Sequence, residues 1–395
     1  MNFAPDPAQQ AFRADVRAFL REHLPADMAA RTLRGYHARK PDMIAWTRIL
    51  HAHGWSAPHW PREHGGPGWT PLQRHLFEEE CALAGAPPTC TSAFMLVAPV
   101  IYTFGNAEQI ARHLPPILRG DTFWGQGFSE PNAGSDLASL KTRAVLSHDA
   151  DGDHYIVNGQ KTWTTEGHYA DWLFCLVRTD VECKPQRGIS FLLIDARSPG
   201  ITMRPIVSID GAHSLNEVFF DDVRVPLSQR IGDEGQGWRC AKFLLDNERA
   251  FSAEVPRNKR MLARLKGLAS SLAPDTGLMR RVAEVEAELR ALEMLTLRAL
   301  AEHDHPSEGG ASWPAGSILH VLGSELQQKT GALLVQALAE RGVIDYPEDA
   351  AAGSLPGLET AAGVTADFLY RRAVTIYGGS NEIQRNLIAR HWLGA

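Results

Sequence analysis

The amino-acid sequence predicts an α+β protein built of helices, then strands, then helices, and three observations predict it. Apolar residues recur at helical spacing through residues 1–121, β-formers broken by Gly, Pro and Asp dominate 122–230, and the helical period resumes after Gly232-Asp233-Glu234-Gly235-Gln236-Gly237. The expected division is an N-terminal α-helical domain (1–121), a middle β domain (122–230) and a C-terminal helical bundle (231–395). The middle segment reads as an antiparallel barrel or sandwich. No helical pattern of roughly 10–15 residues alternates with its strands, which disfavours a parallel sheet.

The first helix has an N-cap candidate in Asp6, Pro7 at its first position and Gln9 placed to reach back, followed by Phe12, Val16, Phe19 and Leu20 on one face. Further amphipathic helices are expected near 43–53, 71–83 and 108–118. In the middle segment, Tyr155-Ile156-Val157, then Asn158-Gly159, then Gln160 to Thr164 reads as a hairpin, because Asn-Gly tolerates the left-handed angles of a tight turn. Strands are expected at 171–178, 188–195 and 217–225. Beyond residue 237, Val282, Val285, Leu289 and Leu292 form the seam of a bundle helix. Another helix is expected near 314–341 and a single last one over 367–392, with an exposed loop at 345–366.

Composition narrows the function classes. The chain has 395 residues, 44% apolar and 22% charged, with a net charge of -6. A globular protein is indicated, with no basic excess for nucleic acid. Five cysteines without a C-x-x-C pair disfavour a disulfide framework and a zinc site. Sixteen histidines show no metal-ligand spacing, so no metal is expected. With no signal-like N-terminus and no apolar run near the roughly 20 residues of a membrane span, a cytoplasmic location without membrane attachment is expected. The ten tryptophans read as core packing, with one exception.

Three segments, taken in order, resemble the acyl-CoA dehydrogenase family: Gly127-Phe128-Ser129-Glu130-Pro131-Asn132-Ala133-Gly134-Ser135-Asp136, Trp163-Thr164-Thr165, and Tyr377-Gly378-Gly379-Ser380-Asn381-Glu382-Ile383-Gln384-Arg385. Phe128 stands where the family has an aliphatic residue. The order of helical, β and helical parts matches that family's domains, the last a four-helix bundle. Within it, Leu50-His51-Ala52-His53-Gly54-Trp55-Ser56-Ala57-Pro58-His59-Trp60-Pro61 is most similar to large subunits of two-subunit enzymes such as pimeloyl-CoA dehydrogenase.

Oxidising an acyl thioester between Cα and Cβ requires a base for the α-proton, a hydride acceptor, and donors for charge on the carbonyl oxygen. Side chains accept no hydride, and no G-x-G-x-x-G follows a strand, so a flavin is indicated over a nicotinamide. The resemblance makes it FAD. It implies that Gln126, Phe128, Ser129 and Ser135 line the cofactor, with backbone amides around Phe128 and Glu130 assisting. Trp163, the exceptional tryptophan, would lie against the isoalloxazine, and Thr165 near N5, the hydride acceptor. Ser380 and Glu382 would approach the adenine end. The alternatives are a strand tryptophan packed in the barrel for Trp163, turn chemistry for Ser129 and Ser135, and helix capping for Ser380 and Glu382.

The family places its catalytic glutamate at one of two positions. One corresponds here to Gly378, which has no side chain to offer; the other corresponds to Glu248, within Leu244-Leu245-Asp246-Asn247-Glu248-Arg249. Glu248 is therefore the expected base. Ser135, Asp246 and Arg249 are expected to touch substrate, and Gly378 to offer its N–H to the thioester carbonyl. Two segments that homotetrameric members give to a neighbour's flavin are missing: no phenylalanine occurs between Phe251 and Phe368, and no Gln-x-x-Gly-Gly-x-Gly lies within 340–366. The expected assembly is an α2β2 tetramer in which a homologous small subunit supplies those groups. An acyl-CoA would be the substrate, and an electron-transferring flavoprotein would take the electrons. A flavin monooxygenase, an acyl-CoA oxidase and a flavin-free structural subunit are the competing readings.

Overall fold

The computed structural model describes residues 6–150, 152–251, 253–271, 276–304, 313–350 and 353–394, without the side chains of 246–251, 303 and 304. The chain divides into two compact units. One comprises 43–67 and 89–248; the other comprises 1–42, 68–88 and 249–395.

The first unit is organised on an eight-stranded sheet: β1 (Trp124–Gly127), β2 (Arg143–Asp149), β3 (Gly152–Lys161), β4 (Trp172–Arg178), β5 (Ile189–Asp195), β6 (Ile201–Val207), β7 (His213–Pro226) and β8 (Arg230–Ile231). Its order is β6-β7-β3-β2-β4-β5-β8, with β1 also beside β4. Five pairings are antiparallel. β1 runs parallel to β4, and β2 touches β4 in parallel at Arg143 and Arg178. The runs 173–177 and 189–194, apolar but for Ser190, are buried along their whole length, which suits strands covered on both faces. Leu173, Cys175, Val177, Leu192, Ile194, Val218 and Val223 share one core there, each fully buried.

The Asn158-Gly159 expectation fails. β3 runs straight through the pair, and the hairpin turn lies earlier, where Asp149 faces Gly152 across the β2–β3 ladder. Asn158-Gly159 is instead a bulge, where the β3–β7 register shifts between Val157 and Gly159. Glycine is required: its φ is 146°, and a Cβ there would sit 2.7 Å from the Thr142 Cα. Asn158 spends its side chain on Asp222, accepting from its backbone N–H at 2.9 Å and donating to its carboxylate at 2.9 Å. The residues that tolerate a turn serve equally for a bulge, and neighbouring strands decide between them.

In the same unit a π-helical turn, Ser92–Val97, precedes the helix Ala98–Phe104. The indole N–H of the buried Trp60 donates to the Phe94 carbonyl at 2.8 Å, so this tryptophan both fills core and satisfies an irregular turn. Trp46 and Trp124 are likewise buried.

In the second unit Pro7–His23 forms the first helix, and the Asp6 carboxylate accepts from the Gln9 N–H at 2.7 Å. The bundle consists of Val255–Ser271, Thr276–Asp304, Ala315–Leu338 and Asn381–Leu393. Val282, Val285, Leu289 and Leu292 are buried in its core as their spacing requires. The expected single last helix is broken: Val364–Tyr370 ends in a short 3₁₀ turn, Gly378 and Gly379 turn left-handed with φ of 68° and 89°, and Ser380 caps a new helix. The expected exposed loop is also corrected. Tyr346, Leu358, Ala361 and Ala362 are buried, and 358–361 is a short helix, because alanines pack where larger side chains would not fit. No described helix is long and apolar enough to cross a membrane.

A Gly159→Ala variant is expected to lose roughly 1–3 kcal/mol, read from urea unfolding, because the added methyl meets Thr142 in a backbone region unfavourable to alanine.

Candidate active site

Two of the three sequence segments meet in the sheet unit. The 127–136 segment leaves β1, and the 163–165 segment leaves β3. The Thr162 N–H donates to the Ser129 carbonyl at 2.9 Å, tying the loops together. Beneath them lies a buried ion pair, Lys161 Nζ to Glu130 Oε1 at 2.8 Å, with Lys161 fully buried. The ammonium also donates to the Phe128 carbonyl at 3.1 Å. The carboxylate accepts from the Lys141 N–H at 2.6 Å and the Thr142 N–H at 2.8 Å. Burial by itself would raise the Glu130 carboxyl, but the Lys161 charge and these donors outweigh it and hold it below the ordinary range. For Lys161 burial dominates and lowers its proton affinity, against the pull of Glu130.

Above this pair the motif side chains separate by role. Phe128 is buried, edge-on to Phe174 and Phe191 at 5.7 and 6.2 Å, so only its backbone is available to a ligand. The Glu130 N–H is taken by the Ala133 carbonyl at 3.0 Å, which removes one expected cofactor donor. Gln126 and Ser129 are half-buried, and Ser135 is exposed. Trp163 is 59% exposed and left-handed, with φ of 60°. A tryptophan filling the barrel is thereby excluded. A bulky residue holds such a backbone only where its surroundings impose it. Thr165 is exposed beside it, and Thr164 between them is fully buried.

In the helical unit, Gly378 and Gly379 form the left-handed turn. The buried Gln384 pins it, donating from Nε2 to both their carbonyls at 3.2 Å while its Oε1 accepts from Ser317 Oγ at 2.8 Å. Ser380 Oγ accepts from the Ile383 N–H at 3.4 Å, which is helix capping, and Glu382 is exposed in the first turn. The backbone of Asp246, Glu248 and Arg249 belongs to the helix Gly237–Phe251, while their side chains lie outside the described residues.

One further cluster gathers metal-ligand types. A ligand atom from each of His75, Glu79 and Glu293 lies within 4.8 Å of the others. Lys259 fills the cation's place, 3.0 Å from Glu79 and 2.5 Å from Glu293, and Arg13 pairs with Glu79 at 3.1 Å. Burial lowers the proton affinity of His75. This is an ion-pair knot in which the Lys259 ammonium supplies the positive charge between the two carboxylates.

The sequence reading gave no role to the side chains of Lys161, Glu130, Gln384 or Asn216. A lysine ending a strand of otherwise apolar inward positions was the available signal for the first two. Nothing local marks Gln384 or Asn216.

Family models match most of the chain: acyl-CoA dehydrogenase N-terminal domain over residues 6–121, middle domain over 125–223 and C-terminal domain over 235–393. Acyl-CoA dehydrogenase IpdE1 of Mycobacterium tuberculosis is 36% identical over 98% of this chain and 97% of its own. Acyl-CoA dehydrogenase FadE29 of the same organism is 32% identical over 97% and 96%. Among solved structures, the Tcur3481-Tcur3483 steroid ACAD has a TM-score of 0.87 at 27% identity, covering 100% of this chain and 99% of that one. The ChsE4-ChsE5 complex of M. tuberculosis has a TM-score of 0.81 at 28% identity, with the same coverage.

Replacing Lys161 by Met leaves the Glu130 carboxylate buried without its counter-charge and is expected to cost about 3–5 kcal/mol in denaturant unfolding, partly restored in Lys161→Met/Glu130→Gln.

Proposed function

Because the chain belongs to the acyl-CoA dehydrogenase family, whose cofactor is FAD, we propose that it dehydrogenates an acyl-CoA thioester between Cα and Cβ as the large subunit of a two-subunit enzyme. The observation that carries this reading is the exposed, left-handed Trp163 on a loop tied to Ser129. An open indole on a loop tied to the segment of Ser129 and Ser135, with Thr165 exposed two residues on, fits a planar, hydrogen-bonding ring system, whereas a structural tryptophan would be covered. When bound, FAD supplies the acceptor for the hydride leaving Cβ.

The chain's own residues have four tasks in this proposal. Glu248 takes the α-proton at its carboxylate, a role supported by the absence of any acid at Gly378. Gly378 offers its N–H to the thioester carbonyl, where negative charge collects as the α-proton leaves. Trp163 and Thr165, with Ser129, Gln126 and the Phe128 backbone, orient the ring. Ser135, Asp246 and Arg249 hold the substrate, and Ser380 and Glu382 stand toward the adenine. Ser380 can do so only while capping its helix. The domain limits 1–121, 122–230 and 231–395 belong to the same reading.

The two-subunit assembly is supported by the missing flavin-binding segments and by the paired names of the Tcur3481-Tcur3483 and ChsE4-ChsE5 structures. A steroid-derived acyl group is the first substrate class to test, since one of those relatives is a steroid enzyme by name. Electrons would pass to an electron-transferring flavoprotein in the cytoplasm.

Glu248→Gln in the flavin-loaded enzyme is expected to lower kcat by about 10²–10⁴-fold while flavin content holds. Full turnover in that variant would favour a monooxygenase. Full flavin and activity in the chain purified alone would remove the small subunit from the proposal.

A further inference from the structure

The loop carrying Trp163 and Thr165 is held from one side by β7. Alternate N–H groups of the loop donate outward: Thr162 to the Ser129 carbonyl at 2.9 Å, Thr164 to the Asn216 carbonyl at 3.0 Å, and Glu166 to the Ser214 carbonyl at 2.7 Å. Asn216 then returns the bond. Its Nδ2 donates to the Thr164 carbonyl at 3.0 Å, so both polar groups of Thr164's backbone are bonded to one residue. Trp163 precedes this clasped residue and Thr165 follows it. The clasp lies between two left-handed positions, Trp163 and Glu166, with φ of 60° and 54°.

The clasp has an orientation of its own. Asn216 is buried, 1% exposed. Its Oδ1 lies 2.9 Å from His213 Nε2, and its Nδ2 lies 3.2 Å from His168 Nδ1. With Nδ2 donating to Thr164 and to His168, His168 Nδ1 accepts and His213 Nε2 donates. The two imidazoles stack, with centroids 4.1 Å apart and planes 28° apart. Every polar capacity of the amide except one lone pair is therefore used, and the Thr164 carbonyl sets its orientation, because a flip would turn Oδ1 onto that carbonyl and lose the bond. Gly167 makes room for it: a Cβ there would lie 2.9 Å from Thr164 Cγ2 and 3.2 Å from Asn216 Nδ2.

We propose that Asn216, oriented by the stacked pair His168 and His213, is a positioning residue that fixes the left-handed Trp163 and the adjacent Thr165 as the flavin-facing surface of this chain. The inference rests on the reading of Trp163 as a flavin contact. No other common side chain does the same work at that depth. Aspartate has the shape without the donor, leucine the shape without either polar group, and glutamine overruns the space.

The test uses the flavin-loaded enzyme produced together with its partner chain, and reads the visible absorption of the bound flavin, its retention on dilution, and Tm. Asn216→Asp and Asn216→Ala are expected to displace the flavin band and to weaken flavin retention by about ten-fold, the loss that follows when a buried acceptor goes unpaired. His213→Phe, at an exposed position, is expected to move the band in the same direction by less, and it covers the case in which the Asn216 variants do not fold. Val225→Ala, in the core of the same sheet, is expected to lower Tm with the band unmoved, which separates positioning from general stability. Trp163→Phe tests the premise. A band that moves with Trp163→Phe but stays fixed in the Asn216 and His213 variants overturns the inference and leaves the Trp163 reading standing. A band unmoved by Trp163→Phe overturns that reading, and the inference with it.

Discussion

The ion pair between Lys161 and Glu130 is the constraint on which the two motif-bearing loops of the sheet unit depend. An ammonium in a fully buried position is tolerated only with a partner and with its remaining hydrogens satisfied. Here its partners are the carboxylate and the Phe128 carbonyl, both on the segment leaving β1, while the lysine itself ends β3. Any movement of one loop relative to the other would break bonds that nothing else in the core can replace. The carboxylate extends the constraint, because its bonds to the N–H groups of Lys141 and Thr142 fix the entry to β2. Three strands thus converge on one pair of charges. What remains exposed, Ser135, Trp163 and Thr165, is carried on the two segments that this largely buried pair anchors.

The helical unit solves a similar problem without charge. Gln384 is fully buried, and its amide spans the Gly378–Gly379 turn and Ser317, so a neutral side chain does for this turn what the ion pair does for the sheet loops. Neutral bonds carry a smaller desolvation cost than a buried charge, and the backbone they restrain is glycine, which strains little in a left-handed conformation. In both units some candidate site residues, Ser129, Trp163 and Thr165 in one and Gly378 in the other, are carried on irregular backbone that a buried polar side chain restrains.

Much of this was legible in the sequence, and the exceptions share a cause. Helix positions followed from periodicity and caps because those signals are local: Asp6 and Pro7 mark a start, and Val282 to Leu292 mark a buried face, without reference to anything distant. The motif segments were legible for the same reason. Asn158-Gly159 was misread because turn and bulge ask the same conformational freedom of a glycine, and the choice rests with Thr142 and Asp222, distant in sequence. The last helix was read as continuous because a helical apolar spacing on either side of Gly378-Gly379 conceals a break that only the backbone angles reveal. Residues 345–366 looked like a loop because alanine, glycine and proline dominate them, yet small residues also fill tight interior space. Asn216 was invisible because its function lies wholly in partners contributed by other segments.

The adjacent glycines at 378 and 379 also bear on which substitutions this turn admits. Any side chain introduced at 378 would have to adopt a φ of 68°, at a cost of about 1–2 kcal/mol. An acid introduced there would start from a strained backbone. The glycine turn is thus a conformational barrier to any side chain at this position, whatever chemistry that side chain would bring.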